Sequence, residues 1–230
     1  MVERTSSTYV TDISCIEIYP KALDRDTCKA LISGFQDKIQ SEGRGVKHNL
    51  EKTDYGNRDD YQINADQHGS FEPLLDSLKS GLNRCWNQYL DVYWPGTAEM
   101  KQAQIGFNKV LDPTIKLQKS APEGGYCSWH CEQGSGNTSP RFAVWMIYLN
   151  TVSMDHGGRT EFYHQDIAIS PTEGTAVIWP AGPSHFHRSS PDLKADKYIA
   201  TGWFVYGLPD NYMEPAGRPD NWMKPWKGLE

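Results

Sequence analysis

Three residues of the chain are of types that can share one metal ion. His130 and Glu132 stand two apart in Trp129-His130-Cys131-Glu132, and His187 opens His187-Arg188-Ser189-Ser190-Pro191. On a β-strand, alternate side chains share a face, so the first pair would project an imidazole beside a carboxylate, about 6–7 Å apart at the backbone. A distant histidine completes a set of two nitrogens and one oxygen. Such a set leaves one face of the ion open and suits a non-haem Fe(II) that admits substrate and dioxygen. His185 is an alternative distal residue, since it shares a face with His187 if that segment is extended. Arg188 would point the other way and reads as structural. Lys197 opens the apolar run Lys197-Tyr198-Ile199-Ala200-Thr201-Gly202-Trp203-Phe204. A lysine at the head of a buried strand is unfavourable unless an anion meets it.

The elements that must position these residues fall into two parts. Residues 14–20 read as a short strand. A helix then opens at Leu23-Asp24, with Asp24 as cap and Cys28, Leu31, Ile32, Phe35 and Ile39 as its apolar face. Gly43 is its stop. Residues 41–70 are polar and read as loop plus one short strand near Tyr61–Ile63. A second helix runs from about Phe71 to Tyr93, with Pro73 in its first turn. Leu74, Leu75, Leu78, Leu82, Cys85, Tyr89 and Val92 form its buried stripe, and Pro95-Gly96 ends it. From residue 104 the pattern changes to short β-branched and aromatic segments between turn residues. They are Gln104–Leu111, Ile115–Ser120, Cys127–Glu132, Phe142–Leu149, Thr160–Tyr163, Ile167–Ser170, Thr175–Trp179, His185–Arg188 and Tyr198–Tyr206. Closely spaced strands of this kind predict a mainly β, α+β fold: a double-stranded β-helix, or jelly roll, braced by the two N-terminal helices. The expected division is one domain over 1–207, with its brace at 14–96 and its core at 104–207. The tail 208–230 carries the repeat PDN(Y/W)M(E/K)P and is expected to pack on the domain.

Composition excludes some classes. The net charge of -6 over 230 residues argues against a nucleic-acid partner, which usually meets a basic face. The opening MVERTSSTYVTD has no apolar run of a signal peptide, and nothing approaches a membrane span. Five cysteines, an odd number, predict a cytoplasmic protein with reduced thiols. Cys127 and Cys131 lack the second pair that a zinc site would need. Trp129, next to His130, reads as core. Tyr93 and Trp94 are candidates for lining a peptide groove.

Over roughly residues 14–206, weakly before 104 and well after 115, the chain resembles the 2-oxoglutarate- and Fe(II)-dependent dioxygenases of the prolyl 4-hydroxylase-like family. Tyr126–Glu132 is similar to the first metal motif, Arg141–Asn150 to the central strand, and Gly157-Gly158-x-Thr160-x-Phe162 to the next strand entry. Pro171-x-x-Gly174-x-Ala176 is similar to the following turn, and His187-x-x-x-Pro191 with Lys197, Thr201 and Trp203 to the C-terminal motif. The resemblance implies His130, Glu132 and His187 as catalytic iron ligands and Lys197 as partner of the distal carboxylate of 2-oxoglutarate. Tyr148 and Thr201 match positions whose hydroxyls help hold that carboxylate. It implies Fe(II), 2-oxoglutarate and dioxygen as cofactors, with ascorbate as an accessory reductant. The reaction would couple oxidative decarboxylation of 2-oxoglutarate to hydroxylation of a prolyl residue in a peptide. A free amino acid or other small molecule is the alternative substrate, and a non-catalytic metal- or ligand-binding jelly roll is the alternative from another class. Two positions depart from the family. Glu132 replaces the usual Asp, which keeps an anionic ligand and argues for hydroxylation over halogenation. Ser120 stands where a Tyr often faces the cosubstrate, with Tyr126 or Gln118 as substitutes.

Overall fold

The computed structural model describes residues 14–42, 46–53, 56–93, 109–112 and 114–206. Gly43, Pro95-Gly96, residues 104–108 and the tail repeat lie outside them. After β1 (Glu17–Tyr19) comes α1 (Arg25–Glu42). Its start follows the sequence expectation: Asp24 Oδ1 accepts the Thr27 amide at 2.8 Å and Oδ2 the Thr27 hydroxyl at 2.7 Å, occupying an otherwise unpaired first-turn donor. Cys28, Leu31 and Phe35 are buried, with Ile32 and Ile39 packed against them.

The polar stretch that follows is a hairpin rather than a loop. β2 (Val46–Thr53) and β3 (Gly56–Asn64) pair antiparallel from Val46↔Gln62 to Thr53↔Gly56. Its polarity concealed it. Tyr61 and Ile63 pack on the core, while Arg58 and Asp60 line a cavity on the other face. Helix α2 (Glu72–Tyr93) buries Leu75, Leu78, Leu82, Cys85, Trp86 and Tyr89. The stripe ends one turn earlier than the sequence predicts. Trp86 stacks on Phe204 with ring centroids 3.8 Å apart, and Val92 is left 57 % exposed. No helix among the described residues is long and apolar enough to cross a membrane.

The strands from residue 109 form the predicted jelly roll. They are β4 (Lys109–Leu111), β5 (Lys116–Ser120), β6 (Gly125–Tyr126), β7 (Arg141–Tyr148), β8 (Thr160–Phe162), β9 (Ile167–Ile169), β10 (Ala176–Pro180), β11 (His187–Ser189) and β12 (Lys197–Tyr206). The large sheet runs β1-β10-β7-β12-β5-β3-β2, with β4 on β12 and β6 on β3. The small sheet runs β11-β8-β9. Period-two alternation divides the core. Trp145, Ile147, Ala200 and Phe204 face the helices. Val144, Met146, Tyr148 and Trp203 face the small sheet with Phe162 and Ile169.

The expected strand Cys127–Glu132 is absent. His130 makes an isolated bridge to His187: its amide donates to the His187 carbonyl at 3.1 Å, and its carbonyl accepts from the His187 amide at 2.9 Å. The chain then bends, and the amides of Glu132 and Gln133 both donate to the Ala181 carbonyl, at 3.0 and 2.9 Å. His185 is not on a strand either; it closes a 3₁₀ turn over Pro183–His185.

One cross-strand pair yields a stability prediction. Gly202 lies opposite Trp145, and a Cβ there would meet the fully buried indole at 2.6 Å. Gly202→Ala should destabilise the fold by about 1–3 kcal/mol through overpacking, read as a lower thermal midpoint. An unchanged midpoint would mean that the indole yields freely.

Candidate metal centre

His130, Glu132 and His187 each place one ligand atom within 4.8 Å of the others, the only such cluster among the described residues. The pair that the sequence spaces at i, i+2 does converge, but by two hydrogen-bonded anchors instead of strand alternation. The main-chain bridge sets His130 against His187, and the Ala181 carbonyl turns Glu132 back toward them. The His130 Nε2 lies 3.5 Å from Glu132 Oε1.

The remaining donor and acceptor positions are already taken. His130 Nδ1 lies 2.8 Å from the Ser128 carbonyl and His187 Nδ1 2.9 Å from the His185 carbonyl. Carbonyl partners fix those nitrogens as N–H donors, so both rings present a bare Nε2. Glu132 Oε2 accepts from Trp203 Nε1 at 3.0 Å and from Arg141 at 3.0 Å, which leaves Oε1 for an ion. Burial, with the neighbouring His130, pushes His187 down to about 4. Its ring is therefore neutral and able to donate a lone pair at ordinary pH. Burial alone would raise Glu132; His130 and His187, when protonated, and the charge of Arg141 hold it down at about 2. Two imidazoles, each with Nε2 turned inward, and one carboxylate are a fitting donor set for Fe(II).

These groups line a cavity of about 370 Å³. Lys197, buried and 5 % exposed, reaches it with its ammonium donating to Ser189 Oγ at 2.6 Å and to the Gly158 carbonyl at 2.9 Å. Gly158 sits at φ +70°, where a Cβ would strike Leu193 at 2.5 Å. The close turn that presents its carbonyl to Lys197 thus requires glycine. Burial pushes Lys197 down to about 8. Thr201 lines the cavity, although its hydroxyl donates to the Trp145 carbonyl at 2.8 Å. Ser120 and Gln118 line it too.

Tyr148 is placed differently from the sequence expectation. It is fully buried, its hydroxyl 2.7 Å from Thr160 Oγ1 and 3.3 Å from the Ile169 carbonyl. Thr160, not Tyr148, forms the cavity wall. His185 turns away from the cluster, its Nε2 2.8 Å from the Ser14 carbonyl. Trp129 is 37 % exposed rather than core, with the Arg188 guanidinium 4.3 Å over its ring. Arg188 also pairs with Glu161 at 2.8 Å and lines the cavity. Tyr93 is tied to Glu17 at 2.7 Å, and Trp94 lies outside the described residues. The sequence reading did not single out Arg58, Asp60, Lys116 or Arg141 as cavity residues. Tyr126, considered there only as a cosubstrate contact, stacks on His130 at 3.6 Å.

Residues 115–205 match the family model of the 2OG-Fe(II) oxygenase superfamily. Over this segment the chain is similar to a 2OG-Fe(II) oxygenase domain. Fe(II), 2-oxoglutarate and dioxygen are the cofactors of that superfamily. No curated protein matches the chain by sequence. Solved structures share the fold. The viral collagen prolyl hydroxylase of Paramecium Bursaria Chlorella virus-1, as its 2OG complex, superposes with a TM-score of 0.60 at 16% identity, over 86% of this chain and 100% of that one. A Trichoplax adhaerens prolyl hydroxylase, in complex with a hypoxia inducible factor oxygen degradation domain peptide fragment, gives 0.63 at 16% identity over 85% of each chain. A Pseudomonas putida prolyl-4-hydroxylase gives 0.53 at 16% identity over 85% and 94%.

The oxygenase cavity places a tryptophan directly behind the carboxylate. Trp203→Phe removes the 3.0 Å donor to Glu132 while keeping an aromatic ring. It should weaken metal binding roughly 10- to 100-fold, the usual cost of losing a group that orients a ligand. Calorimetric titration with Mn(II) checks this, and wild-type affinity in the variant would assign Trp203 to packing alone.

Proposed function

We propose that the protein is an Fe(II)- and 2-oxoglutarate-dependent hydroxylase acting on a prolyl residue in a peptide. The observation that carries this reading is the donor set of His130, Glu132 and His187, with its other polar atoms already engaged, in one cavity with the buried ammonium of Lys197. In this reading Nε2 of each histidine and Oε1 of Glu132 hold the iron. Lys197 takes the distal carboxylate of 2-oxoglutarate in a charge-assisted hydrogen bond. Its present partners, Ser189 and Gly158, aim the ammonium and stay in contact with it. Iron, when bound, supplies dioxygen activation coupled to decarboxylation of the oxo acid and oxygen insertion into a substrate C–H bond. The cavity walls restrict access of water and of other C–H bonds to that centre. The similarity to prolyl hydroxylases, one of them in complex with a peptide, supports peptidyl proline as substrate. All five cysteines are unpaired, in keeping with a reducing, cytoplasmic setting.

The test has two stages. Anaerobic addition of 2-oxoglutarate to the Fe(II) protein should produce a weak visible charge-transfer band. A peptide library should then yield a product heavier by one oxygen atom, with succinate formed in step. Iron loading without the band or succinate would point to a non-catalytic binding module. Succinate formation without turnover of any proline-containing peptide would exclude peptidyl proline.

A further inference from the structure

The cavity is far more basic than the chain. Arg58, Lys116, Arg141, Arg188 and Lys197 line it against only two carboxylates, Asp60 and Glu132, in a protein of net charge -6. The carboxylates are committed: Asp60 holds Arg58 at 2.9 Å and Glu132 holds Arg141 at 3.0 Å. Arg188 is held by Glu161. A divalent ion would meet Glu132 and the proximal carboxylate of 2-oxoglutarate, and Lys197 would meet the distal carboxylate. Lys116 remains. Its ammonium lies 4.6 Å over the Trp203 ring and has no hydrogen bond or ion pair to any described residue. The charge of Glu132, already engaged by Arg141 and Trp203, acts on it without direct contact, and a desolvated ammonium with no directly paired anion is unfavourable.

Its position excludes the cosubstrate. Lys116 is opposite Thr201 on β12, and Ser120 is opposite Lys197. Four residues along paired strands separate the backbones of the two lysines by about 13 Å. The metal cluster stands between them in function: Trp203, which Lys116 overlies, donates to Glu132. One 2-oxoglutarate anchored at Lys197 and chelated at the cluster has no carboxylate left for Lys116. The free charge therefore faces the side of the centre where the substrate must sit.

We propose that the substrate of this oxygenase carries a carboxylate next to the carbon that is oxidised, and that Lys116, with Arg141 beside it on Trp203, binds that carboxylate. Arg141 lies 3.6 Å over the same indole, so the two cations flank one aromatic platform. The carboxylate comes either from a free amino acid or from an acidic residue of a peptide. This inference rests on the oxygenase reading above and narrows its substrate.

The experiment scores succinate release by the Fe(II) protein with matched pairs of probes. One arm uses N-acetyl amino acids against their amides. The other uses proline-containing peptides bearing Asp or Glu against the same peptides bearing Asn or Gln. The acid of each effective pair should be preferred by tenfold or more, the range expected for a charge-assisted hydrogen bond in a partly dry site. The arm that responds identifies the source of the carboxylate. Lys116→Met should abolish the preference, and Lys116→Arg should retain most of it. Binding of 2-oxoglutarate to the Mn(II)-loaded Lys116→Met protein should stay within about twofold of wild type, given the distance to Lys197. Equal response to acids and amides, including no response to either, overturns the proposal, as does an acid preference that survives in Lys116→Met. Failure of the wild-type Mn(II) protein to bind 2-oxoglutarate at all would instead count against the oxygenase reading.

Discussion

Replacing His187 by alanine should remove metal-dependent turnover altogether. In the proposed site the residue is one of the three donors found among the described residues, and its ring is buried against Trp179 and Phe162, with centroids 5.0 and 5.9 Å away. Those two rings cannot coordinate a metal, so they do not replace the lost nitrogen. Loss of a group that merely orients a ligand costs about 10- to 100-fold in affinity; loss of the ligand itself should cost roughly 1,000-fold or more. Titration with Mn(II) followed by calorimetry gives the affinity, and succinate formation gives the activity. The melting curve without metal separates loss of binding from loss of fold. His187→Ala protein that melts normally yet binds Mn(II) like wild type would remove this residue from the site. His185→Ala is the control, because its ring faces Ser14 and not the cluster.

The second large effect concerns Lys197. Lys197→Ala should raise the dissociation constant for 2-oxoglutarate by roughly 10- to 100-fold, the worth of a hydrogen bond to a charged group that cannot be replaced by bulk water. It should leave the affinity for Mn(II) alone nearly intact. The sign of the pH effect follows from the direction of the shift. Burial pushes the free ammonium down to about 8, and only the protonated form attracts a carboxylate. Affinity should therefore be flat below pH 8 and fall as the pH rises beyond it, by up to about tenfold per unit. Lys197→Arg keeps its charge throughout that range and should flatten the profile. Identical profiles for wild type and Lys197→Arg would show that some other group carries the dependence.

The fold was legible where the chain obeys a period. The Asp24 cap, the stripe from Leu75 to Tyr89 and the runs that became β7, β10 and β12 all announce themselves by spacing. The β2–β3 hairpin did not, because its cavity face carries Arg58 and Asp60, and such polarity reads as loop. A signal was nonetheless present, since Arg58, Asp60 and Gln62 alternate with Asp59, Tyr61 and Ile63. The metal cluster was legible for a partly mistaken reason. His130 and Glu132 converge, but through a single bridge and a shared carbonyl, which no local pattern encodes. Arg141 and Lys116 were missed because each reads as an ordinary polar residue beside an apolar strand. Only the assembled sheet brings both over Trp203. Tyr148 illustrates the opposite error. Its hydroxyl matches a family position, yet the backbone carries it behind Thr160.

Strand β12 sends Lys197, Thr201 and Trp203 to one side and Ala200, Gly202 and Phe204 to the other. The proposed cosubstrate anchor and the residue behind the proposed metal carboxylate are thus carried on a single ribbon, clasped by β5 and β7 on its two edges. A slip of one residue would exchange the two sides wholesale. Inserting or deleting a single codon anywhere within this ribbon should therefore abolish the proposed activity, whereas the same lesion in the turn at 163–166, which does not line the cavity, should be survivable.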